Sequence, residues 1–129
     1  MTLTLEQPAR SGAEKKSIFE LQGKPLDLDH LQSYTMGNKV LEREVLLLFK
    51  GQSQIYFSKL SAAGDSENWR SAARVLRISA SSIGAWKLEM TSENAENLRF
   101  RKRNRDRLRL ITLLAEQIEE TNRFIDSLL

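Results

Sequence analysis

The stretch WRSAARVLRISASSIGAW, residues 69–86, decides how this chain folds. On a helix advancing 100° per residue, Trp69, Ala72, Ala73, Leu76, Ala80 and Ile83 fall within roughly 60° of one line and form a single apolar stripe. Arg70, Arg74, Arg77, Ile78 and Ser81 fall roughly 80° to 180° away, so guanidinium groups surround an outward-pointing isoleucine. The stripe predicts a buried helix face, and the opposite face is the candidate working surface. Asp65 or Ser66 is placed to cap the start of this helix and Gly84 to stop it.

Working outward, the preceding segment from Asn38 to Ala63 reads as one long amphipathic helix ended by Gly64 as a left-handed cap. Leu41, Val45, Leu48, Gln52, Ile55 and Leu60 keep a three-four spacing, thickened by Leu46, Leu47 and Phe49. A helix apolar on more than one side through its middle is expected where it touches two or three neighbours in a bundle. Before it, Asp27 or Asp29 can cap a short helix carrying Leu28, Leu31 and Tyr34, which Gly37 and Asn38 break. Residues 1–24 mix Pro8, Gly12 and Gly23 with charges and show no sustained period, so they read as a flexible arm ahead of a domain spanning 25–129.

After Gly84, a helix over about residues 85–98 shows Leu88, Thr91, Ala95 and Leu98 at helical spacing, a thin stripe. The last helix, about residues 104–129, has Leu108, Ile111, Ala115, Ile118, Asn122, Ile125 and Leu129 in alternating steps of three and four. At 1.5 Å per residue it is roughly 39 Å long, comparable to the helix ending near Ala63. Short connections between long amphipathic helices predict an all-α, antiparallel up-and-down four-helix bundle with a short additional N-terminal helix.

The spacing in residues 73–85 resembles the phosphoacceptor helix of histidine-containing phosphotransfer (HPt) domains. Their pattern runs roughly Ala-His-x-Leu-Lys-Gly-Ser-(Ala/Ser)-x-x-(Ile/Leu)-Gly-Ala. Ala73, Leu76, Ser79, Ala80, Ile83, Gly84 and Ala85 match it, and Arg77 stands in for the lysine. Residues 26–60 are similar in pattern to the opening helices of the family. The two chemical positions differ: Arg74 stands where the phosphorylated histidine would be, and Ile78 where the family keeps a glycine. The resemblance implies an HPt-like frame over about residues 26–129 and a place in two-component phosphorelay.

Phosphotransfer needs an imidazole nitrogen that attacks an aspartyl phosphate on a docked receiver domain. A guanidinium stays protonated, presents donors only and offers no lone pair near neutral pH. The implied role is therefore that of a pseudo-phosphotransferase, a non-catalytic regulator or scaffold. It would bind a response-regulator receiver or a histidine kinase through Arg70, Arg74, Arg77, Ile78 and Ser81. A receiver's acidic pocket suits the arginines, and Ile78 would supply an apolar anchor.

A second reading starts from RFRKRNRDRLR, residues 99–109, in which Arg99, Arg101, Lys102, Arg103, Arg105, Arg107 and Arg109 stand against Asp106 alone. Such a run can contact the phosphates of nucleic acid or an anionic lipid surface. Phe100 is its one aromatic residue, so it offers no stacking platform for single strands.

Enzymatic chemistry is not expected. The adjacent acids Glu42 with Glu44, and Glu116 with Glu119 and Glu120, read as solvated faces, and no phosphate-cradling glycine loop or paired metal ligands are visible. The single histidine, His30, has no cysteine, histidine or carboxylate at ligand spacing and reads as a packing or surface residue. No cofactor and no metal are expected. The longest apolar run is Val45 to Phe49, too short to span a membrane, and the N-terminus has no signal-peptide core, so a cytoplasmic location follows as the default.

Overall fold

The computed structural model describes residues 15–101 and 104–129. Among these residues the chain is all helical, with five α-helices and no strand: α1 (Leu28–Tyr34), α2 (Lys39–Ala62), α3 (Ser66–Ile83), α4 (Trp86–Asn97) and α5 (Arg105–Leu128). A 3-10 turn, Phe19–Leu21, precedes them.

Side chains from the residue just ahead fix most of the starts. Asp27 accepts the His30 amide at 3.2 Å and opens α1, Asn38 accepts the Leu41 amide at 3.1 Å and opens α2, and Asp65 accepts the Asn68 amide at 2.8 Å and opens α3. Asn104 does the same for α5 through the Asp106 amide at 2.8 Å. Between α1 and α2 the backbone turns through the left-handed region at Met36 and Gly37. Gly84 ends α3 at φ +80°, where its amide and that of Ala85 return to the carbonyls of Ser81 and Ala80.

Gly64 does not serve as the cap of α2 that its position predicts. The helix runs into Ala63 in extended conformation. The end is held from outside, because Arg107 on α5 donates its Nη2 to the carbonyl oxygens of Ser61 and Ala63 at 3.4 and 3.1 Å. With those orphan carbonyls supplied by a guanidinium, a left-handed turn is not required there.

α3 lies at the centre. It packs against α2 on one side and α4 on the other, α1 rests on it, and α5 meets both α4 and α2. Its buried residues are Trp69, Ala72, Ala73, Leu76, Ala80 and Ile83, the stripe expected from the sequence. Three of the six are alanines, which lets the neighbouring helices approach closely. The Trp69 indole spans the gap to α4 and satisfies its buried N–H on the Ala95 carbonyl at 2.7 Å.

Two stripes differ from expectation. In α2 the buried residues are Leu46, Phe49, Ser53 and Leu60, whereas Leu41, Leu48 and Ile55 face outward. In α5 they are Leu114, Gln117, Ile118, Thr121, Asn122 and Ile125, while Leu108, Ala115 and Leu129 are exposed. The cause in α5 is a polar seam. Asn122 donates its Nδ2 to Ser53 Oγ of α2 at 3.3 Å, and Thr121 Oγ1 donates to the Gln117 carbonyl at 2.7 Å, so these two donors are satisfied in core positions, whereas Gln117 Oε1 and Asn122 Oδ1 are buried without a partner among the described residues.

Residues 1–14 lie outside the described residues, but the rest of the expected arm, 15–24, is docked. Leu21 is buried, Lys15 pairs with Glu89 on α4 at 2.8 Å, and the Lys16 amide donates to Asp27 Oδ2 at 3.1 Å. Among the described residues no helix is long and apolar enough to cross a membrane.

Candidate interaction surface

The outer face of α3 carries the five residues singled out from the sequence. Arg70, Arg74 and Ile78 are exposed, and Arg77 and Ser81 are half-buried. Two of the arginines are engaged. Glu96, near the end of α4, accepts Arg77 Nε at 2.6 Å on one carboxylate oxygen and Arg74 Nε at 2.9 Å on the other. The Glu96 side chain is only 12% exposed. The hydrogen bond from Arg77, then that from Arg74, hold the Glu96 carboxyl below its ordinary range, against the opposing effect of burial. Glu96 in turn makes Arg77 harder still to deprotonate, with Glu93 and Glu89 acting in the same direction.

Glu96 escapes sequence inspection because it lies 22 residues from Arg74 and 19 from Arg77. One signal was present. If α3 and α4 fold back on each other about the Gly84–Ala85 turn, counting equal distances from it sets position 74 beside position 95 or 96.

On its other flank the surface is apolar. Ile78, 51% exposed, shares a shallow depression between α2 and α3 with Tyr34, Val45, Leu48 and Gln52. Its deepest lining residues are the buried Phe49 and Ile83; Ser79, whose Oγ donates to Gln52 Oε1 at 3.3 Å, and Ser82, whose Oγ donates to the Ile78 carbonyl at 3.0 Å, complete the wall. Leu48 at 60% exposure and Ile55 at 54% continue the apolar character along α2. Leu41, Leu48 and Ile55, expected to be core, thus form a surface strip on α2.

The basic run divides. Arg99, Arg101, Arg105 and Arg109 are exposed, Arg109 within 3.7 Å of Asp106, and Lys102 and Arg103 lie outside the described residues. Arg107 turns inward. Besides its bonds to the end of α2, its guanidinium carbon sits 5.3 Å from the Trp69 ring centre and 5.2 Å from that of Phe100, a cation against two rings that meet each other at 6.0 Å. It is committed to the fold and not presented to an anion.

His30 packs its ring edge-on to Trp86 at 4.7 Å and beside Tyr34 at 6.4 Å. Among the described residues no three His, Cys, Asp or Glu side chains gather as metal ligands do. The outer face of α3 thus presents guanidinium donors, an exposed isoleucine and a half-buried serine hydroxyl. Comparison with family models, with curated proteins and with solved structures finds no match for this chain.

Proposed function

We propose that the chain is an HPt-like module that has lost the phosphoacceptor histidine and holds a receiver domain without relaying a phosphoryl group, acting as a non-catalytic regulator or scaffold. The neighbour order α2–α3–α4–α5, with α5 returning to α2, is what an up-and-down four-helix bundle with α1 as an addition requires, and this supports the frame. The observation that carries the functional reading is Ile78, half exposed on a shallow apolar depression beside Arg74. A receiver presents acidic residues around its phosphorylatable aspartate. Arg70 and the exposed edge of Arg74 lie where such a surface would meet them, and Ile78 and Leu48 offer the water-excluding contact.

The charge is partly spent within the chain. Glu96 already binds Arg74 and Arg77, so apolar burial carries most of the affinity and the arginines contribute orientation and encounter rate.

Titration of purified receiver domains against the full chain tests this. Binding at tens of micromolar or tighter is expected, with Ile78→Asp weakening it by about tenfold or more and Arg74→Ala by only about two- to threefold. Absence of binding, or binding indifferent to Ile78→Asp, removes the proposal. Acid-labile phosphate on the native chain after incubation with a phosphorylated receiver would remove its non-catalytic half. The paired change Arg74→His with Ile78→Gly is expected to restore phosphate acceptance.

A further inference from the structure

The exposed strip on α2 has an internal symmetry that the receiver reading does not use. Leu41, Glu44, Leu48, Gln52, Ile55, Lys59 and Ala62 fall within about 40° of one line on the helix, on the side away from the residues it buries. All but the half-buried Gln52 are exposed. Taken as pairs, Leu48 with Ile55, Glu44 with Lys59, and Leu41 with Ala62 share one midpoint, between Gly51 and Gln52. Each apolar residue is mirrored by an apolar residue and the acid by a base.

Within one chain Glu44 and Lys59 stand about 22 Å apart along the helix axis and cannot meet. They meet if a second α2 is laid against the first in the opposite direction across a two-fold axis at the midpoint, the self-complementary arrangement of an isologous dimer. Gly51 lies beside that axis. Among the described residues nothing stands within 4 Å of where its Cβ would be, so its missing side chain leaves room for close approach of another backbone.

We infer that α2 is the contact surface for a second copy of this chain, the two α2 helices antiparallel, with Leu48 packed on the partner's Ile55 and Glu44 paired with the partner's Lys59. A single helix face about 32 Å long from Leu41 to Ala62 is small beside a permanent interface. The dimer is therefore concentration-dependent. Leu48 also belongs to the depression beside Ile78, so a self-associated chain and one carrying a receiver exclude each other.

Sedimentation velocity of the full chain over about 1 to 500 µM, with circular dichroism confirming that each variant is folded, is the test. A reversible monomer–dimer equilibrium is expected, and Leu48→Asp should raise its dissociation constant by about tenfold or more. Glu44→Lys and Lys59→Glu should each weaken it by about three- to tenfold, and the two together should return it to within about twofold of the native value. A chain that stays monomeric throughout overturns the inference, as does a dimer indifferent to Leu48→Asp or a double reversal that only adds the two losses. The charge-reversed double variant should bind receivers like the native chain. A receiver-binding monomer would thus sink the dimer alone, and a dimer that binds no receiver would sink the functional proposal alone.

Discussion

The Trp86 indole donates its Nε1 hydrogen to Asp27 Oδ2 at 3.0 Å, joining residues 59 apart in the chain. The same carboxylate accepts the Lys16 amide and caps α1 through the His30 amide. Asp27 is fully buried, so three donors from the N-terminal segment, α1 and α4 converge on one charge. Burial alone would raise its pKa, but the bonds from Trp86, Lys16 and His30 outweigh it and leave the carboxyl below its ordinary value.

Asp27→Ala should destabilise the fold by about 3 kcal/mol, since it removes a helix cap and leaves buried N–H groups unpaired. The pH dependence follows from the direction of the shift. A carboxyl depressed in the folded state contributes its full stabilisation above the unfolded value near pH 4 and loses it as pH falls through the lower folded value. Urea midpoints should therefore fall on acidification below about pH 4, and Asp27→Asn, lower throughout, should flatten that limb.

Gly84 is held by two constraints at once. Its φ of +80° is a conformation that side chains rarely adopt, and a Cβ there would stand 3.0 Å from the Asp27 carbonyl oxygen, 3.1 Å from Asp27 Cβ and 3.3 Å from His30 Cδ2. Asp27 cannot retreat freely, because its amide donates to the Gly84 carbonyl at 2.9 Å. Gly84→Ala should cost about 2 kcal/mol or more in urea denaturation, beyond the roughly 1 kcal/mol of an ordinary left-handed cap, and Gly37→Ala, with open space around it, should cost only the smaller amount.

The contrast between α3 and α2 shows what the sequence can convey. In α3 the apolar residues other than Val75 and Ile78 occupy one side, so one phase dominates and all six core residues are legible. In α2, Leu46, Leu47, Leu48 and Phe49 follow one another, and both the Leu41–Leu48–Ile55 line and the Leu46–Phe49–Ser53–Leu60 line satisfy helical spacing. Only the neighbours decide which is buried. The α5 phase is hidden differently, by Gln117 and Thr121 in core positions that hydrophobic patterning skips. In the candidate surface, Arg74 and Ile78 are visible as an outward face, but Glu96, whose single carboxylate offsets half the charge of Arg74 and Arg77, belongs to another helix and leaves no local pattern.

Arg107 separates the basic run into structural and exposed members. It bridges the end of α2, the Trp69 ring and the Phe100 ring, so Arg107→Ala should lower stability by about 1–2 kcal/mol. Arg107→Lys should recover only part of this, since an ammonium keeps the charge without the planar fork. Arg105→Ala, exposed one turn-edge away, should leave the thermal midpoint within about 1 °C of the native value. Equal losses at 105 and 107 would contradict the division.

Glu96 should couple unequally to its two arginines. Arg77 is the less exposed, at 32% against 55% for Arg74, and its bond is the shorter. Screening by water is therefore weaker for Arg77, and a double-mutant cycle of Arg77→Ala with Glu96→Gln should give a coupling larger than that of Arg74→Ala with Glu96→Gln, both within about 1 kcal/mol. The sign of the pH effect again follows from a depressed carboxyl: both couplings hold through the ordinary glutamate range and fade only in stronger acid, as Glu96 takes up a proton. Receiver titration supplies the functional counterpart. Glu96→Gln leaves Arg74 and Arg77 charged and unneutralised, so it should tighten binding to an acidic receiver surface by a few fold at low salt, and Arg74→Ala on that background should cost more than it does in the native chain.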